Sequence, residues 1–195
     1  MIFKYTVNNY SAQIKRNELS ISAICDTGAS RSSMDLYALS ALTGYKAQEI
    51  YDYIIIRVNK GLKVYYAHTA SGRTDRVVNI ALNNIEISGK KFQEFYFRLN
   101  IDNESWKTAG LVEIDNKKIQ IQPIVLIGLD LIRCGEIIGN KDIIKIDNFK
   151  EEDYLNNSIN KFQNELIKLY ANSDIEFTDQ DYLAAEVRLK LKNIK

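Results

Sequence analysis

Leu19, Ile21, Ala23 and Cys25 fall on every second position of "ELSISAIC", the period of a strand with one buried face. "IFKYTV" and "YSAQIK" carry similar runs, and the "RN" turn lets the strand before it pair with "ELSISAIC". The period then changes. Leu36, Leu39 and Leu42 stand at helical spacing, and Gly44 is a stop signal, so a short helix is predicted there. "YIIIRV" and "LKVYYAHTA" read as strands, "ASGRTD" as a turn, and "RVVNIAL", "IEIS" and "FQEFYFRLNI" as further β pattern. Residues 101–118 hold no clear period and predict a loop-like insertion. Pro123, the only proline, precedes the apolar run "IVLIG", where a missing amide donor does little harm to a strand. "LDLIRCG" predicts a short helix and "DIIKID" a closing strand.

Past residue 150 the composition shifts. Leu155, Ile159, Phe162, Leu166 and Leu169 are spaced 4, 3, 4, 3, one apolar stripe along a helix. "FTDQDYLAAEVRLKLKNIK" predicts a second helix, with Thr178 as N-cap and Asp179 and Asp181 at its positive end. The expectation is a mainly β domain over residues 1–150 and a helical extension over 151–195. The stripe suits packing on the chain's own β domain, or a surface that reinforces a dimer or holds a partner.

Composition narrows the function. A formal net charge of +1 over 195 residues gives no basic footprint for nucleic acid. No apolar run approaches the roughly 20 residues of a membrane helix, and the N-terminal stretch lacks the apolar core of a signal peptide. The expected location is therefore the cytoplasm, with neither membrane nor nucleic acid as partner. Two cysteines far apart, Cys25 and Cys134, and one histidine, His68, match no metal-binding spacing. No cofactor and no metal are expected.

The chemistry is concentrated in "ISAICDTGAS". Asp-Thr-Gly alone is an ordinary turn sequence. Here it follows an alternating strand, so Asp26 leaves a rigid element. A hairpin with the glycine-containing tip "HTASGRT" lies downstream, and "IVLIGLDLI" repeats the plan of apolar strand, glycine and short helix.

In that order, "AICDTGAS", "AHTASG" and "IVLIGLDLI" resemble the retropepsin-like aspartic proteases, over roughly residues 1–148. The resemblance implies a single-lobe acid-protease β-barrel and an aspartic endopeptidase acting on extended peptide. It implies that Asp26 is the catalytic carboxylate, that the Thr27 hydroxyl braces the site across a dimer interface, and that Gly28 admits close backbone approach. Ala29 falls on the substrate-binding side. Thr69, Ala70, Ser71 and Gly72 match a flap that closes over peptide, and Gly128 the glycine supporting the catalytic loop. Ser30 and Leu129 depart from many retroviral members, which carry an ion pair at those positions. Their joint change leaves neither partner as an unpaired charge, and "IGLDLI" is closer to the cellular and bacterial branch.

Direct attack of water on a peptide bond needs one carboxylate to take a proton and another to give one. The sequence holds one Asp-Thr-Gly, so the resemblance also implies a homodimer with the site on its two-fold axis. The alternative is a binding or scaffold protein that keeps the fold without catalysis. Among other residues, His68 reads as a solvated or hydrogen-bonded hairpin residue or as a substrate contact, and Cys25 as a small core residue. Trp106 could cap the core or meet a partner.

Overall fold

The computed structural model describes residues 1–6, 9–69, 72–102, 107, 111–114, 117–120, 123–159 and 166–169. The chain forms β1 (Ile2–Thr6), β2 (Asn9–Arg16), β3 (Leu19–Cys25), β4 (Ser33–Asp35), α1 (Leu36–Thr43), α2 (Ala47–Asn59), β5 (Tyr65–His68), β6 (Thr74–Ile87) and β7 (Lys90–Asn100). It continues with β8 (Leu111–Ile114), β9 (Lys117–Gln120), β10 (Val125–Ile127), α3 (Leu129–Ile132), β11 (Glu136–Gly139), β12 (Ile143–Asp147), α4 (Glu151–Ile159) and β13 (Leu166–Leu169). The fold is mainly β.

β2, β3, β10, β4, β7 and β6 are hydrogen-bonded in that order, and β6 returns to β2, so these six strands close a barrel. Closure depends on a bend in β6. Its first part pairs with β7 from Val77 onward, and its last residues, Ile85–Ile87, also pair with β2 at Arg16–Ile14. Between them Asn84 adopts φ 54°, a local twist that redirects the strand. The buried Arg16 guanidinium braces this corner, donating to the Asn83 carbonyl and side-chain oxygens, each at 3.2 Å. On the open side of the barrel, β1, β12 and β11 extend the sheet from β2.

Phe3, Ile14, Ala23, Leu39, Val78, Ile80, Phe97, Leu99 and Ile127 form one continuous core. α1 begins where the Asp35 carboxylate accepts from the Ala38 N–H at 2.7 Å, and it ends at Gly44, whose φ of 75° is a left-handed cap. Leu36, Leu39 and Leu42 are all buried, as their spacing predicts.

Four expectations change. "YIIIRV" lies in α2, not in a strand, because Ile50, Tyr53 and Ile54 present one buried helical face. Within the 101–118 insertion, Leu111–Ile114 pairs with Lys117–Gln120 as a hairpin. The stripe read as one helix through Leu169 breaks: α4 ends at Ile159, and β13 runs parallel to β6, Leu166 opposite Asn79. An open edge of β6 supplies ladder partners that a lone helix would not have. "EIIG" forms β11, an edge strand that the sequence pattern left unassigned. Trp106, Phe162 and the helix expected from Thr178 onward lie outside the described residues.

α4 docks on the barrel through Tyr154, which is fully buried. Its ring stacks on Phe95 at 4.9 Å and meets Phe92 edge-on at 5.7 Å, and its hydroxyl accepts from the Tyr96 N–H at 2.9 Å. Among the described residues no helix is long and apolar enough to cross a membrane, and no cluster of His, Cys, Asp and Glu is arranged to hold a metal ion.

Candidate active site

Asp26 leaves the end of β3 into a loop held from both sides. β10 runs between β3 and β4, parallel to the first and antiparallel to the second. The Asp26 N–H donates to the Ile127 carbonyl at 2.9 Å, extending the β3–β10 ladder by one residue. The Leu129 N–H donates to the Ala29 carbonyl at 2.9 Å, tying the loop's far side to the start of α3. Asp26 is thereby fixed by backbone from strands about 100 residues apart in sequence.

Within the loop the Gly28 N–H donates to Asp26 Oδ1 at 2.8 Å, and the Ala29 N–H to the Asp26 carbonyl at 3.2 Å. A Cβ on Gly28 would lie 3.1 Å from that same carboxylate oxygen, so a side chain here would press on Asp26 itself. One oxygen is oriented by this bond. Among the described residues Oδ2 has no such partner. Just before it, burial pushes the Cys25 thiol up to about 11, with the Asp26 charge adding to the effect. Cys25 is a protonated core side chain, and no redox role follows from it.

Beneath the loop lies a polar link that the sequence pattern did not reveal. Ser32 Oγ donates to Asp130 Oδ1 at 2.8 Å and accepts from the Gly128 N–H at 3.1 Å, and the Ser32 N–H also donates to Asp130 at 2.9 Å. Burial raises the Asp130 carboxyl above its ordinary value, while the Ser32 and Leu131 donors and the Arg31 charge pull it down. Gly128 must be glycine, because a Cβ would sit 2.5 Å from the Arg31 carbonyl carbon and 2.8 Å from the Ser32 nitrogen. "IGLDLI" displayed Gly128 and Asp130, but nothing local to it pointed to Ser32.

Asp26, Gly28, Ala29 and Thr69 line one cleft of about 620 Å³. Tyr66, Ala67, His68 and Arg73 of the β5–β6 hairpin close its other side, and Arg98 and Asn100 of β7 contribute to its wall. Thr27 and Gly72 are exposed and do not line this cleft, while Ala70 and Ser71 lie outside the described residues. His68 borders the cleft, with Nδ1 2.9 Å from Thr74 Oγ1. The hairpin end is tied by two bonds into the Arg73 carbonyl, from the Thr69 N–H at 2.8 Å and its hydroxyl at 3.0 Å, and Gly72 supplies the turn with φ 79°.

The β7 residues were not foreseen as part of the site. In "FYFRLN" strand alternation puts Phe97 and Leu99 in the core, so Arg98 and Asn100 face the other way, and that period was the available signal. Asn100 Nδ2 donates to Asp75 at 2.7 Å, and Arg73 grips the same buried carboxylate with two nitrogens at 2.7 Å each. Asp75 is thus fully occupied in holding the hairpin base to the barrel.

No family model matches the sequence, and no curated protein matches it. Among solved structures, the fold is similar to the crystal structure of a retropepsin-like aspartic protease from Rickettsia conorii. The two share 17% identity at a TM-score of 0.43, over 74% of this chain and 95% of that one.

Proposed function

We propose that this chain is one half of a dimeric aspartic endopeptidase, with Asp26 as its catalytic carboxylate. The observation that carries the reading is the setting of Asp26. It stands at a rigid strand end, with one oxygen oriented by the Gly28 N–H, and lines a cleft of about 620 Å³. A turn aspartate with a merely local role needs no such cleft.

A single carboxylate cannot both accept and give a proton in one step, so the second comes from Asp26 of another copy. Two carboxylates about 3 Å apart repel by about 5 kcal/mol at an effective dielectric of 20, and such a pair holds one proton between its members. The ionised member takes a proton from the attacking water while the protonated member gives one to the carbonyl oxygen. Ile2, Ile138 and Ile143 are exposed on one face of the β1–β12–β11 part of the sheet, apolar positions that suit association. The β5–β6 hairpin is proposed as the flap. An extended peptide beneath it would gain backbone hydrogen bonds and present alternate side chains to the walls.

Asp26→Asn is the direct test. The change is nearly isosteric and its Oδ1 still accepts from Gly28, so the fold should persist with the wild-type circular dichroism spectrum and melting temperature. Cleavage of unfolded casein should fall by at least about a thousandfold, as expected when a group that must exchange a proton is lost. Near wild-type cleavage by the folded variant would remove Asp26 from the mechanism.

A further inference from the structure

We propose that Arg98 forms a subsite for a carboxylate side chain of the substrate, so that the cleft selects peptides with Asp or Glu at one position. This rests on the cleft being the peptide site proposed above.

Arg98 lines the same cleft as Asp26, yet its guanidinium makes no ion pair or hydrogen bond among the described residues, and its buried Nε lacks an acceptor. Directly across the β6–β7 ladder stands Asn79, whose buried Nδ2 likewise lacks one. Among the described residues these are the only two buried side-chain polar atoms left unsatisfied, and they sit on register partners. Both are donors. A buried donor without an acceptor is a standing cost to a fold and calls for an explanation, of which a bound acceptor nearby is one.

The nearby carboxylates do not fill the gap. Asp75 is held by Arg73 and Asn100, and Asp35 caps α1 through the Ala38 N–H. Asp130 takes its hydrogen bonds from Ser32 and Leu131. Burial, then the neighbouring Arg31 charge, pushes the Arg98 guanidinium down, while Asp130 pulls it up. An incoming carboxylate would offset both unfavourable effects, because it neutralises the charge and accepts from the terminal guanidinium nitrogens. A planar guanidinium also matches a carboxylate in two-point geometry. Arg98 is therefore assigned to specificity, with Asp26 left to the chemistry.

The test uses peptides blocked at both ends, so that no terminal carboxylate competes, each carrying Glu or Gln at one scanned position. At one position the wild type should show a kcat/KM at least about tenfold higher for Glu, the range of a charge-assisted hydrogen bond. Arg98→Met, which keeps the apolar stem, should bring that ratio to about one, and Arg98→Glu should transfer the preference to Lys. A ratio near one at every position in the wild type, or a Glu preference that survives in Arg98→Met, overturns the proposal. So does a melting temperature well below wild type for Arg98→Met, which would mean that Asn79 turns its oxygen toward Arg98 and the two satisfy each other. If no peptide is cleaved, binding of the same peptides bearing an uncharged fluorophore to Asp26→Asn protein decides. Tighter binding of the Glu peptide, lost on adding Arg98→Met, upholds the subsite while the protease reading falls. Equal binding of both peptides overturns the subsite.

Discussion

Ser32 serves two partners at once, accepting from the Gly128 N–H and donating to Asp130, and both bonds lie beneath the Asp26 loop. Ser32→Ala would leave the buried Gly128 N–H without an acceptor, at about 1–3 kcal/mol, and would take one donor from Asp130. The penalty should depend on pH. Burial holds the Asp130 carboxyl above its ordinary 3.8, so its contribution to stability is complete below that value and is lost as pH rises through the folded one. Losing a donor to the charged form lifts the folded value further, so the penalty of Ser32→Ala should be larger at about pH 7 than at about pH 3.5. Denaturant melts of both proteins at the two pH values measure it. An equal penalty at both would show that Asp130 does not draw on Ser32 for its charged state. Asp26, Gly28 and Gly128 stood out in the sequence because each belongs to a short local motif. Asp130 stood in the same short motif as Gly128, but its partner Ser32 lies 98 residues away and Arg98 reaches the cleft from a third strand, so contacts between distant segments had to reveal those two.

At the level of elements, α4 is tied to the barrel chiefly by the fully buried Tyr154, beside the Lys90–Glu151 ion pair and the packing of Leu155. Tyr154→Ala removes a fully buried ring that stacks on Phe95, and should destabilise by about 3–5 kcal/mol. Tyr154→Phe keeps the ring but takes the acceptor from the Tyr96 N–H, which should cost about 1 kcal/mol. Thermal melts of the two variants test this, and a loss below about 1 kcal/mol for the alanine would show that α4 is not part of the core. The elements misread from sequence share a cause. The isoleucines of α2 have strand propensity, yet a face formed by Ile50, Tyr53 and Ile54 wins once it has a core to bury against. The residues of β13 fit a helical period, but the free edge of β6 offers them a ladder. Propensity and period are local, and burial decides when they conflict.

For the whole molecule the question is how the second carboxylate arrives. Under the proposed mechanism, activity per chain should fall on dilution below the dimer dissociation constant. Co-refolding wild type with a tenfold excess of Asp26→Asn should leave only about 1 in 11 wild-type chains in a fully wild-type pair. Specific activity per wild-type chain should drop accordingly. A value unaffected by the excess would place a complete catalytic site within one chain, and the dimeric reading would have to be given up.

The sequence alone determined that the chain is mainly β, where β3, α1 and α3 lie, and that Asp26 leaves a strand into a glycine-containing loop. Those features are written in short-range patterns of side-chain size, polarity and backbone freedom, which act over a few residues. Tertiary structure alone decided that β6 bends at Asn84 to close the barrel, that β10 passes between β3 and β4, and that Ser32 meets Asp130 beneath the loop. It also set Arg98 in the wall of the Asp26 cleft. Each of these joins segments far apart in the chain, and their pairing follows from burying one common core.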